Sequence, residues 1–419
     1  DMTTLDEQVT TLMHGAEFGD AQLADFMRQE LRQRLAETQE AGRPLRVYCG
    51  YDATGPHLHL GHTVTMRKLR QFQDFGHAVT VLIGTFTAAI GDASDRDSAR
   101  TPPSAETIRA HASAFLEQVF RVLDRDRTAI RFNNDWLDGV TFRDLIEISG
   151  QFTVQQMTSR DNFSRRIEAG EPLWLRELLY PLAQGYDAVA LQADVQLGGT
   201  EQLFNLMTGR KLQTYFGQPP QICITYPILP GTDGVQRMSK SMGNFIGITE
   251  PPEDQYGKVM SLPDTAMPIF FDLVTRWPPA QIEALKADLE AGRVHPMQAK
   301  QRLAWEVVAS FYGDETADAA AAHFTRVHRQ GDLPDAMPEF PLAAPAGIID
   351  VLVESGLVAS RGEAKRLVRG AGVRLDGEPI TDVQHVLLPG EAVLQVGRRH
   401  FLRLVAAVEP AFAPGDPEA

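Results

Sequence analysis

The pattern of apolar and polar residues predicts an α/β arrangement near the start of the chain. Residues 5–40 carry apolar side chains at helical spacing, which predicts a helix. An apolar run typical of a buried strand follows at 45–51, then a helical pattern over 61–75, and then a second apolar run at 78–85. Strand, helix and strand in this order predict a βαβ unit, and hence a parallel sheet with ligand sites at the carboxyl ends of its strands.

The same criteria predict further elements as far as residue 250. The predicted helices are 104–123, 141–156 and 176–186, and the predicted strands are 128–132, 189–193 and 222–226. From Pro251 to residue 330 the pattern is helical. We therefore predict a Rossmann-like α/β domain over 1–250, followed by an α-helical domain over 251–330.

The C-terminal part of the chain has a different pattern. Residues 331–346 are rich in proline, which favours an extended linker. A predicted helix pair at 347–370 then precedes short apolar runs that are separated by Asp-Gly and Pro-Gly turns. We therefore predict a small α+β domain over 347–408.

Composition excludes several classes of protein. The 419 residues are 43% hydrophobic and 23% charged, which is ordinary for globular proteins and excludes collagen, coiled coils and disordered chains. The two cysteines, Cys49 and Cys223, are too few for a disulfide framework, and this fits a reducing compartment. No segment approaches the roughly 18 uncharged apolar residues that a membrane helix needs. We expect a cytoplasmic location and no membrane partner.

Charge is distributed unevenly between the predicted domains. The net charge is −15, which disfavours binding of a phosphate backbone over the surface as a whole. Residues 347–408 nevertheless carry eight Lys and Arg against seven Asp and Glu, a net charge of +1, whereas the remainder carries −16. Any contact with nucleic acid therefore has to use a local basic patch.

A histidine pair marks the point where the first predicted strand leads into a helix. In His59-Leu60-Gly61-His62, both imidazoles lie at the start of that helix, where backbone N–H groups attract phosphate. Gly61 allows a nucleotide to approach the backbone closely. The same pattern also fits a helix-capping pair or a metal-binding pair.

A second motif with two cations lies far downstream. Its sequence is Arg237-Met238-Ser239-Lys240-Ser241-Met242-Gly243-Asn244, and a segment rich in glycine precedes it at 230–234. Such a loop can close over a triphosphate and neutralise developing charge, and a solvated basic turn is the alternative. Together the two motifs resemble the HIGH and KMSKS signatures of class I aminoacyl-tRNA synthetases.

Within that class, the remaining motifs resemble the tyrosyl-tRNA synthetase family. The segment 47–54 is similar to the strand and loop before the histidines, 180–187 to the substrate helix, and 197–202 to the segment beside adenosine. Spacings of four and three residues place Tyr180, Gln184 and Asp187 on one helical face. The resemblance implies a tyrosine site, with the phenol held by Tyr48 and Asp187, the ammonium by Asp92, Tyr180 and Gln184, and Gln196 beside them.

The resemblance also implies catalytic and nucleotide-binding groups. The implied catalytic residues are Thr54, His59, His62, Arg237 and Lys240. The implied ATP-binding residues are Gly50, Asp52, Gly61, Thr65, Gly198, Gly199, Glu201, Gln202, Met238 and Ser239. Many relatives carry Asp in place of Glu201 and Lys in place of Arg237. These two side chains keep the charge of the family pattern but differ from it in length and shape.

The segment 359–377 resembles the S4 RNA-binding domain. On a helix, its cations share one face and form a surface that can dock a structured RNA by shape, and these residues are Arg361, Lys365, Arg366 and Arg369. A solvated charged helix is the alternative.

The resemblance implies that the chain activates L-tyrosine with Mg-ATP and transfers it to the terminal adenosine of tRNA(Tyr), as a homodimer without a resident metal or tightly bound cofactor. A tryptophanyl-tRNA synthetase, a non-catalytic RNA-binding protein with a synthetase body, and a small-molecule nucleotidyltransferase are the alternatives. Taken singly, Tyr48 also fits a core strand tyrosine, Asp187 a helix-end carboxylate, and Asp92 a turn former. The tryptophans, among them Trp136, lack a motif context, and we expect them to pack in the interior.

Overall fold

The computed structural model describes residues 4–52, 55, 57–92, 104–329, 337–397 and 400–406. The chain divides into a first unit, residues 1–321, and a second unit, residues 322–419. Among the described residues, no helix is both long enough and apolar enough to cross a membrane.

A five-stranded parallel sheet forms the centre of the first unit. Its strands are β1 (Arg46–Tyr51), β2 (Ala78–Ile83), β3 (Thr128–Phe132), β4 (Val195–Gly199) and β5 (Ile222–Tyr226). Their order in the sheet is β3-β2-β1-β4-β5, and every pair is parallel. This arrangement confirms the predicted parallel-sheet fold.

The strand order places a crossover at the centre of the sheet. From β1 the chain proceeds through β2 to β3 on one side, and then returns to β4, which pairs with β1 through Val47 and Val195. In open α/β sheets, ligands bind outside the carboxyl ends of the strands where the order reverses. The fold therefore predicts a site above the carboxyl ends of β1 and β4.

Helices flank the sheet and continue beyond it. Those between the strands and before them are α1 (Leu5–Met13), α2 (Ala21–Glu40), α3 (Leu60–Asp74), α4 (Thr85–Ile90), α5 (Ala105–Val119), α6 (Asn134–Leu137), α7 (Phe142–Ser149), α8 (Val154–Thr158), α9 (Asp161–Glu168), α10 (Leu175–Leu191) and α11 (Leu203–Tyr215). Those after β5 are α12 (Pro252–Met260), α13 (Met267–Val274), α14 (Pro279–Glu290), α15 (Pro296–Tyr312) and α16 (Asp314–Arg329), and α16 contains the boundary between the units.

Three predicted elements need correction. The helix predicted over 5–40 is two helices, because the carboxylate of Asp20 accepts the backbone N–H of Leu23 (2.8 Å) and starts α2 afresh. The helix predicted over 141–156 is likewise divided into α7 and α8. The strand predicted at 189–193 is wrong, because α10 extends through Leu191. Gln192 then ends the helix with a left-handed backbone (φ 47°), and the strand begins at Val195.

A buried carboxylate joins three elements of the first unit. Asp194, just before β4, accepts hydrogen bonds from Arg43 Nη1 (2.8 Å), from the backbone N–H of Arg46 (2.9 Å) and from Arg34 Nη1 (3.3 Å). Burial alone would raise the pKa of Asp194, but hydrogen bonds from Arg43 and Arg46 lower it to about 2. This carboxylate therefore ties α2 and the start of β1 to β4.

The second unit is a small α+β structure. Its elements are β6 (Glu339–Leu342), β7 (Ala346–Gly347), α17 (Ile348–Glu354), α18 (Arg361–Arg369), β8 (Val373–Leu375), β9 (Glu378–Ile380), β10 (Val386–Leu387), β11 (Ala392–Val396) and β12 (His400–Ala406). One sheet has the order β6-β12-β11-β8-β9, and β7 pairs with β10. The first strand, β6, falls within the predicted linker 331–346. It is an edge strand, where Pro341 is tolerated, and it pairs in parallel with β12.

Candidate active site at the crossover of the parallel sheet

A cavity of about 740 Å³ lies where the crossover predicts a site. The predicted residues that line it are Gly50, Asp52, His59, Gly61, His62, Thr65, Asp92, Tyr180, Gln184, Asp187, Gln196, Gly198, Gly199, Glu201, Gln202, Arg237, Met238, Ser239 and Lys240. Tyr48 is fully buried and is not part of the lining, and Thr54 lies outside the described residues. Segments that are far apart in sequence therefore meet in one cavity.

Main-chain pairing brings the two signature motifs together. The backbone N–H of Leu60 donates to the carbonyl of Ile246 (3.0 Å), and that of Ile248 donates to the carbonyl of Leu58 (3.2 Å). The histidine segment thus pairs with the chain that follows the cationic loop. We call His59, His62, Arg237 and Lys240, which all line the cavity, the imidazole cluster.

Both imidazoles accept backbone hydrogen bonds at the start of α3. The N–H of Gly61 donates to Nδ1 of His59, and the N–H of His59 donates to Nδ1 of His62, each at 3.2 Å. A neutral imidazole that accepts at Nδ1 carries its proton on Nε2. Gly61 is required here because a Cβ at this position would lie 2.9 Å from Cε1 of His59.

Burial keeps the two imidazoles uncharged. It lowers the pKa of His59 to about 3, with further lowering by His62 and Lys240, and it lowers the pKa of His62 to about 4. Each Nε2–H is therefore a neutral donor at physiological pH. The positive charge of the imidazole cluster comes from Arg237 and Lys240, so the cluster combines fixed dipoles with two cations, as anion stabilisation requires.

A buried carboxylate anchors a second set of side chains in the cavity. Asp187 accepts hydrogen bonds from Trp136 Nε1 (2.8 Å) and from Asn133 Nδ2 (3.3 Å). Burial raises the pKa of Asp187 to about 8, although these two hydrogen bonds oppose the rise. The carboxyl group of Asp187 is therefore largely protonated at neutral pH and becomes an ionised acceptor as the pH rises through about 8.

Hydrogen bonds connect Asp187 to a second carboxylate. Asn133 Nδ2 also donates to Thr87 Oγ1 (3.1 Å), and Thr87 Oγ1 donates to Oδ1 of Asp52 (2.7 Å). The hydroxyl of Tyr180 donates to Oδ2 of Asp52 (2.8 Å). We call these five residues, together with Trp136, the carboxylate cluster. Its members hold one another, so their side chains are fixed before any ligand binds.

The hydroxyl of Tyr48 is buried and has no well-formed hydrogen bond among the described residues, and the same holds for Oε1 of Gln184 and of Gln221, although the side chain of Gln221 lies near enough to Tyr48 to lower its pKa. Burial raises the pKa of Tyr48, so its hydroxyl is neutral. Buried polar atoms without partners are rare and favour a ligand contact. That Tyr48 contacts a substrate phenol stays a prediction.

Several other predicted side chains pair within the cavity wall. Asp92 accepts a hydrogen bond from Gln202 Nε2 (2.7 Å), and Gln196 Oε1 accepts one from Gln221 Nε2 (2.6 Å). Thr65 Oγ1 shares a hydrogen bond with the hydroxyl of Tyr51 (2.8 Å). These contacts fix their orientation, while their proposed roles toward tyrosine and ATP stay predictions.

Sequence reasoning missed Asn133 and the hydrogen bond from Trp136 to Asp187. Trp136 packs against the interior as expected, and its indole N–H also donates to Asp187. The same expectation is wrong for Trp174, which is 54% exposed. One signal for Asn133 was available, because it directly follows β3 and so lies at the carboxyl edge of the parallel sheet. No sequence motif connects either residue with Asp187, which lies on α10.

In the second unit, the predicted basic residues all lie on α18 and are exposed, and they are Arg361, Lys365, Arg366 and Arg369. Arg361 forms an ion pair with Asp350 of α17, which reduces its charge toward solvent. The remaining three cations form an exposed basic face that fits phosphate binding.

One group outside the cavity has the composition of a metal site. It consists of His14, Asp272 and Glu283. Lys286 donates to both carboxylate oxygens of Asp272 (2.7 and 2.8 Å) and already neutralises it. We therefore interpret this group as an ion-pair network.

A five-stranded parallel sheet with the imidazole cluster and the carboxylate cluster beside its crossover is the arrangement that the sequence predicted for a class I aminoacyl-tRNA synthetase. The family model of tRNA synthetases class I (W and Y) matches residues 39–329, and that of the S4 domain matches residues 348–393. The fold class and the C-terminal S4 domain predicted from the sequence are thus confirmed.

Relatives that match most of the chain identify the family more closely. The tyrosine–tRNA ligase of Thermotoga maritima is 47% identical over 361 residues, which are 86% of this chain and 90% of that protein. The tyrosine–tRNA ligase of Oleidesulfovibrio alaskensis is 44% identical over 408 residues, 96% of this chain and 99% of that protein. The chain belongs to the tyrosine–tRNA ligase family, as its motifs predicted.

Solved structures agree with the fold over about three quarters of the chain. The tyrosyl-tRNA synthetase of Archaeoglobus fulgidus, complexed with L-tyrosine, has a TM-score of 0.58 at 24% identity and covers 76% of this chain and all of its own. A C-terminally truncated mitochondrial tyrosyl-tRNA synthetase of Aspergillus nidulans has a TM-score of 0.60 at 20% identity, over 78% of this chain and 94% of its own.

Proposed function

We propose that the cavity joins L-tyrosine to AMP and then passes the tyrosyl group to tRNA(Tyr). Enzymes of this family use ATP as substrate, and we propose that it enters with Mg²⁺. In the first step, the tyrosine carboxylate attacks the α-phosphorus and pyrophosphate leaves with the bonding electrons. The substrate supplies the nucleophile, so the protein needs only to position the reactants and stabilise charge.

The imidazole cluster holds the leaving pyrophosphate in this proposal. The Nε2–H groups of His59 and His62 donate to the phosphate oxygens, and Arg237 and Lys240 neutralise the charge that accumulates as the bond breaks. Met238 and Ser239 line the cavity between these two cations and contact ATP. Thr54 is assigned to the same task. These contacts strengthen in the transition state, so they accelerate the reaction more than they tighten substrate binding.

The carboxylate cluster and its neighbours hold tyrosine. Asp187 accepts the phenolic hydrogen, and the buried hydroxyl of Tyr48 hydrogen-bonds the phenolic oxygen. The ammonium is held by Asp92, Tyr180 and Gln184, next to Gln196. Support comes from Oε1 of Gln184, which is buried without a hydrogen-bond partner in the described part of the chain, because leaving such an atom unpaired costs about 1–3 kcal/mol.

The remaining predicted residues bind the nucleotide. We propose that the adenosine lies against the backbone of Gly198 and Gly199, with the other contacts made by Gly50, Asp52, Gly61, Thr65, Glu201 and Gln202. All of these residues line the cavity.

Transfer to tRNA uses the rest of the chain. The terminal adenosine hydroxyl attacks the acyl carbon of the adenylate and AMP leaves. We propose that the helical region 251–330 and the domain 347–408 hold the RNA, the latter through the exposed cations of α18. We also propose a cytoplasmic location, where a reducing environment suits the two free thiols.

A homodimer is proposed for the same enzyme. Six large apolar side chains in the stretch from α7 to the start of α10 are exposed, and they are Phe142, Ile146, Val154, Ile167, Trp174 and Leu175. Exposed apolar surface of this kind is typical of an interface. Sedimentation should therefore report a dimer, and Leu175→Glu should shift it to a monomer; a monomeric unsubstituted chain would contradict this assignment.

One observation carries the proposal: an imidazole pair, two cations and a buried carboxylate line a single cavity. The test is ATP–pyrophosphate exchange with each amino acid in turn. We expect exchange with tyrosine alone. Exchange driven by tryptophan would assign the site to the sibling family, and no exchange with any amino acid would favour a non-catalytic RNA-binding protein.

A further inference from the structure

One polar side chain outside the cavity lining holds the cationic loop. Asn244 is 6% exposed and lies four residues beyond Lys240. Its Nδ2 donates to the carbonyl of Arg237 (3.1 Å), and its Oδ1 accepts the N–H of Ser239 (2.9 Å). The amide therefore forms hydrogen bonds with the backbone on both sides of Met238, within the segment that carries the two cations.

Asp233 completes this contact. Its Oδ2 accepts a hydrogen bond from Asn244 Nδ2 (2.6 Å), and its Oδ1 accepts the N–H groups of Val235 (2.7 Å) and Gln236 (2.6 Å). The turn that leads into the signature is thereby tied to the residue that ends it.

The surrounding backbone is shaped around the amide. The N–H of Thr232 donates to the carbonyl of Asn244 (2.9 Å), and the N–H of Gly243 donates to the carbonyl of Lys240 (3.0 Å). A Cβ at Gly231 would collide with the amide nitrogen of Asn244, so this position requires glycine. A close-packed amide with this many partners tolerates few alternative loop conformations.

We propose that Asn244 and Asp233 are positioning residues that set the backbone from which Arg237 and Lys240 reach the pyrophosphate. The inference rests on the clamp role given above to these two cations. Neither Asn244 nor Asp233 lines the cavity, so they act through the loop and not on ATP itself. A displacement of about 1 Å in a group that stabilises the transition state can cost about 100-fold in rate.

The test measures tyrosine activation by pre-steady-state kinetics in the full chain, with Asn244→Ala, Lys240→Ala and the double variant. We expect Asn244→Ala to lower the rate constant of adenylate formation by about 100-fold, with the KM for tyrosine unchanged within about twofold. In the Lys240→Ala background the same change should cost less than about tenfold, because two groups that act as one unit are not additive.

A matched pair of variants separates positioning from stability. Thr38→Ala removes another buried hydrogen bond, from Thr38 Oγ1 to the carbonyl of Arg34 (2.8 Å), in a helix that contributes nothing to the cavity lining. It should lower the melting temperature but leave adenylate formation normal. Asn244→Asp should form the adenylate more slowly than Asn244→Ala, because the new carboxylate then faces that of Asp233. Adding Asp233→Asn should restore part of the rate, since the amide and carboxylate are exchanged.

The outcomes are distinguishable. Normal adenylate formation in Asn244→Ala, with a defective Lys240→Ala, would overturn this inference and leave the proposed clamp intact. Normal formation in Lys240→Ala would remove the clamp and this inference with it. An equal loss of the rate constant of adenylate formation in Asn244→Ala and Thr38→Ala would assign Asn244 a role in stability alone. Rate effects of Asn244→Ala and Lys240→Ala that add fully would show that Asn244 does not act through Lys240. Either result would overturn this inference.

Discussion

The imidazole cluster and, apart from Trp136, the carboxylate cluster line the same cavity but are built in different ways. The imidazoles are oriented by backbone N–H groups. The cations beside them lie on a loop whose backbone is hydrogen-bonded by the side-chain amide of Asn244. Asp187 is oriented by side chains from a different element, Asn133 and Trp136. The imidazole cluster suits an anion whose charge increases during the reaction. The carboxylate cluster suits recognition of a polar group that stays unchanged, such as the substrate phenol.

This difference predicts a separation of kinetic effects. Substitutions in the imidazole cluster should slow the chemical step and leave tyrosine binding intact. Substitutions in the carboxylate cluster should weaken the binding of tyrosine and reduce its discrimination from phenylalanine. Sites that hydrogen-bond a substrate hydroxyl can reject the analogue that lacks it by about 10⁴–10⁵-fold, and tyrosine-specific synthetases are the standard example.

The largest effect is expected for Lys240→Ala. Loss of a group that stabilises transition-state charge should lower the rate constant of adenylate formation by about 10³-fold, with the KM for tyrosine unchanged. Lys211→Ala removes an exposed cation from α11 that does not line the cavity, and it serves as the control. A Lys240→Ala enzyme with weaker tyrosine binding but a normal rate of adenylate formation would contradict the proposed difference between the two clusters.

The second-largest effect is expected for Asp187→Asn. The amide keeps the shape but replaces one carboxyl oxygen by an NH2 group that cannot accept a hydrogen bond, so kcat/KM for tyrosine should fall by about 100-fold while that for phenylalanine changes little. Asp194→Asn alters a carboxylate that is equally buried but outside the cavity. It should lower stability toward urea and leave the preference for tyrosine unchanged; an equal loss of preference in both variants would refute the assignment of Asp187.

Trp136→Phe should have a smaller effect with a pH signature. Removing one of the donors that stabilise the carboxylate should lower kcat/KM for tyrosine at pH 7 by about tenfold. It should also raise the pKa of Asp187 above its value of about 8. The measurement is the pH profile of kcat/KM, whose inflection should move to higher pH; an unmoved inflection would show that the indole does not act through Asp187.

Tyr48→Phe should reduce the preference for tyrosine over phenylalanine by about fivefold, the effect expected for one neutral hydrogen bond. The readout is the ratio of kcat/KM values in pyrophosphate exchange. Tyr312→Phe removes a hydroxyl that bonds the carbonyl of Glu250 (2.6 Å) and is the matched control. An unchanged ratio in Tyr48→Phe would remove this residue from the phenol site.

The smallest expected change, about threefold between pH 7.5 and 8.5, is in the pH dependence of the unsubstituted enzyme. Asp187 is protonated below its pKa of about 8 and ionised above it, so kcat/KM for tyrosine should rise as the pH increases through that value. The rate at saturating tyrosine should show no inflection near the ordinary histidine pKa, because His59 and His62 remain neutral above about pH 4. A histidine inflection in that rate would contradict the neutral-donor interpretation.

The sequence predicted much of this structure because local patterns carry the information. The apolar run at β1 followed by the histidine motif places one ligand-binding turn at the carboxyl edge of a strand. By contrast, the apolar residues of the strand predicted at 189–193 fit a helix equally well, and only the left-handed Gln192 marks the end of α10. Periodicity could not distinguish the two.

Contacts between side chains that are distant in the sequence could not be predicted, for a different reason. Asn133 and Trp136 follow β3, whereas Asp187 lies on α10, and their hydrogen bonds exist only because the tertiary fold places them together. The amide of Asn244 was visible at the end of the signature motif. Its function depends on the loop closing back on Asp233, which residue types alone do not specify.

A crystal structure of the full chain with a non-hydrolysable tyrosyl-adenylate analogue tests the central claim most directly. We predict that the phenolic oxygen lies within hydrogen-bond distance of Asp187 and Tyr48, while the phosphate analogue lies beside Nε2 of His59 and His62. A ligand whose aromatic ring lies away from Asp187, or whose phosphate contacts neither imidazole, would contradict the assignment of the two clusters to the two ends of one substrate.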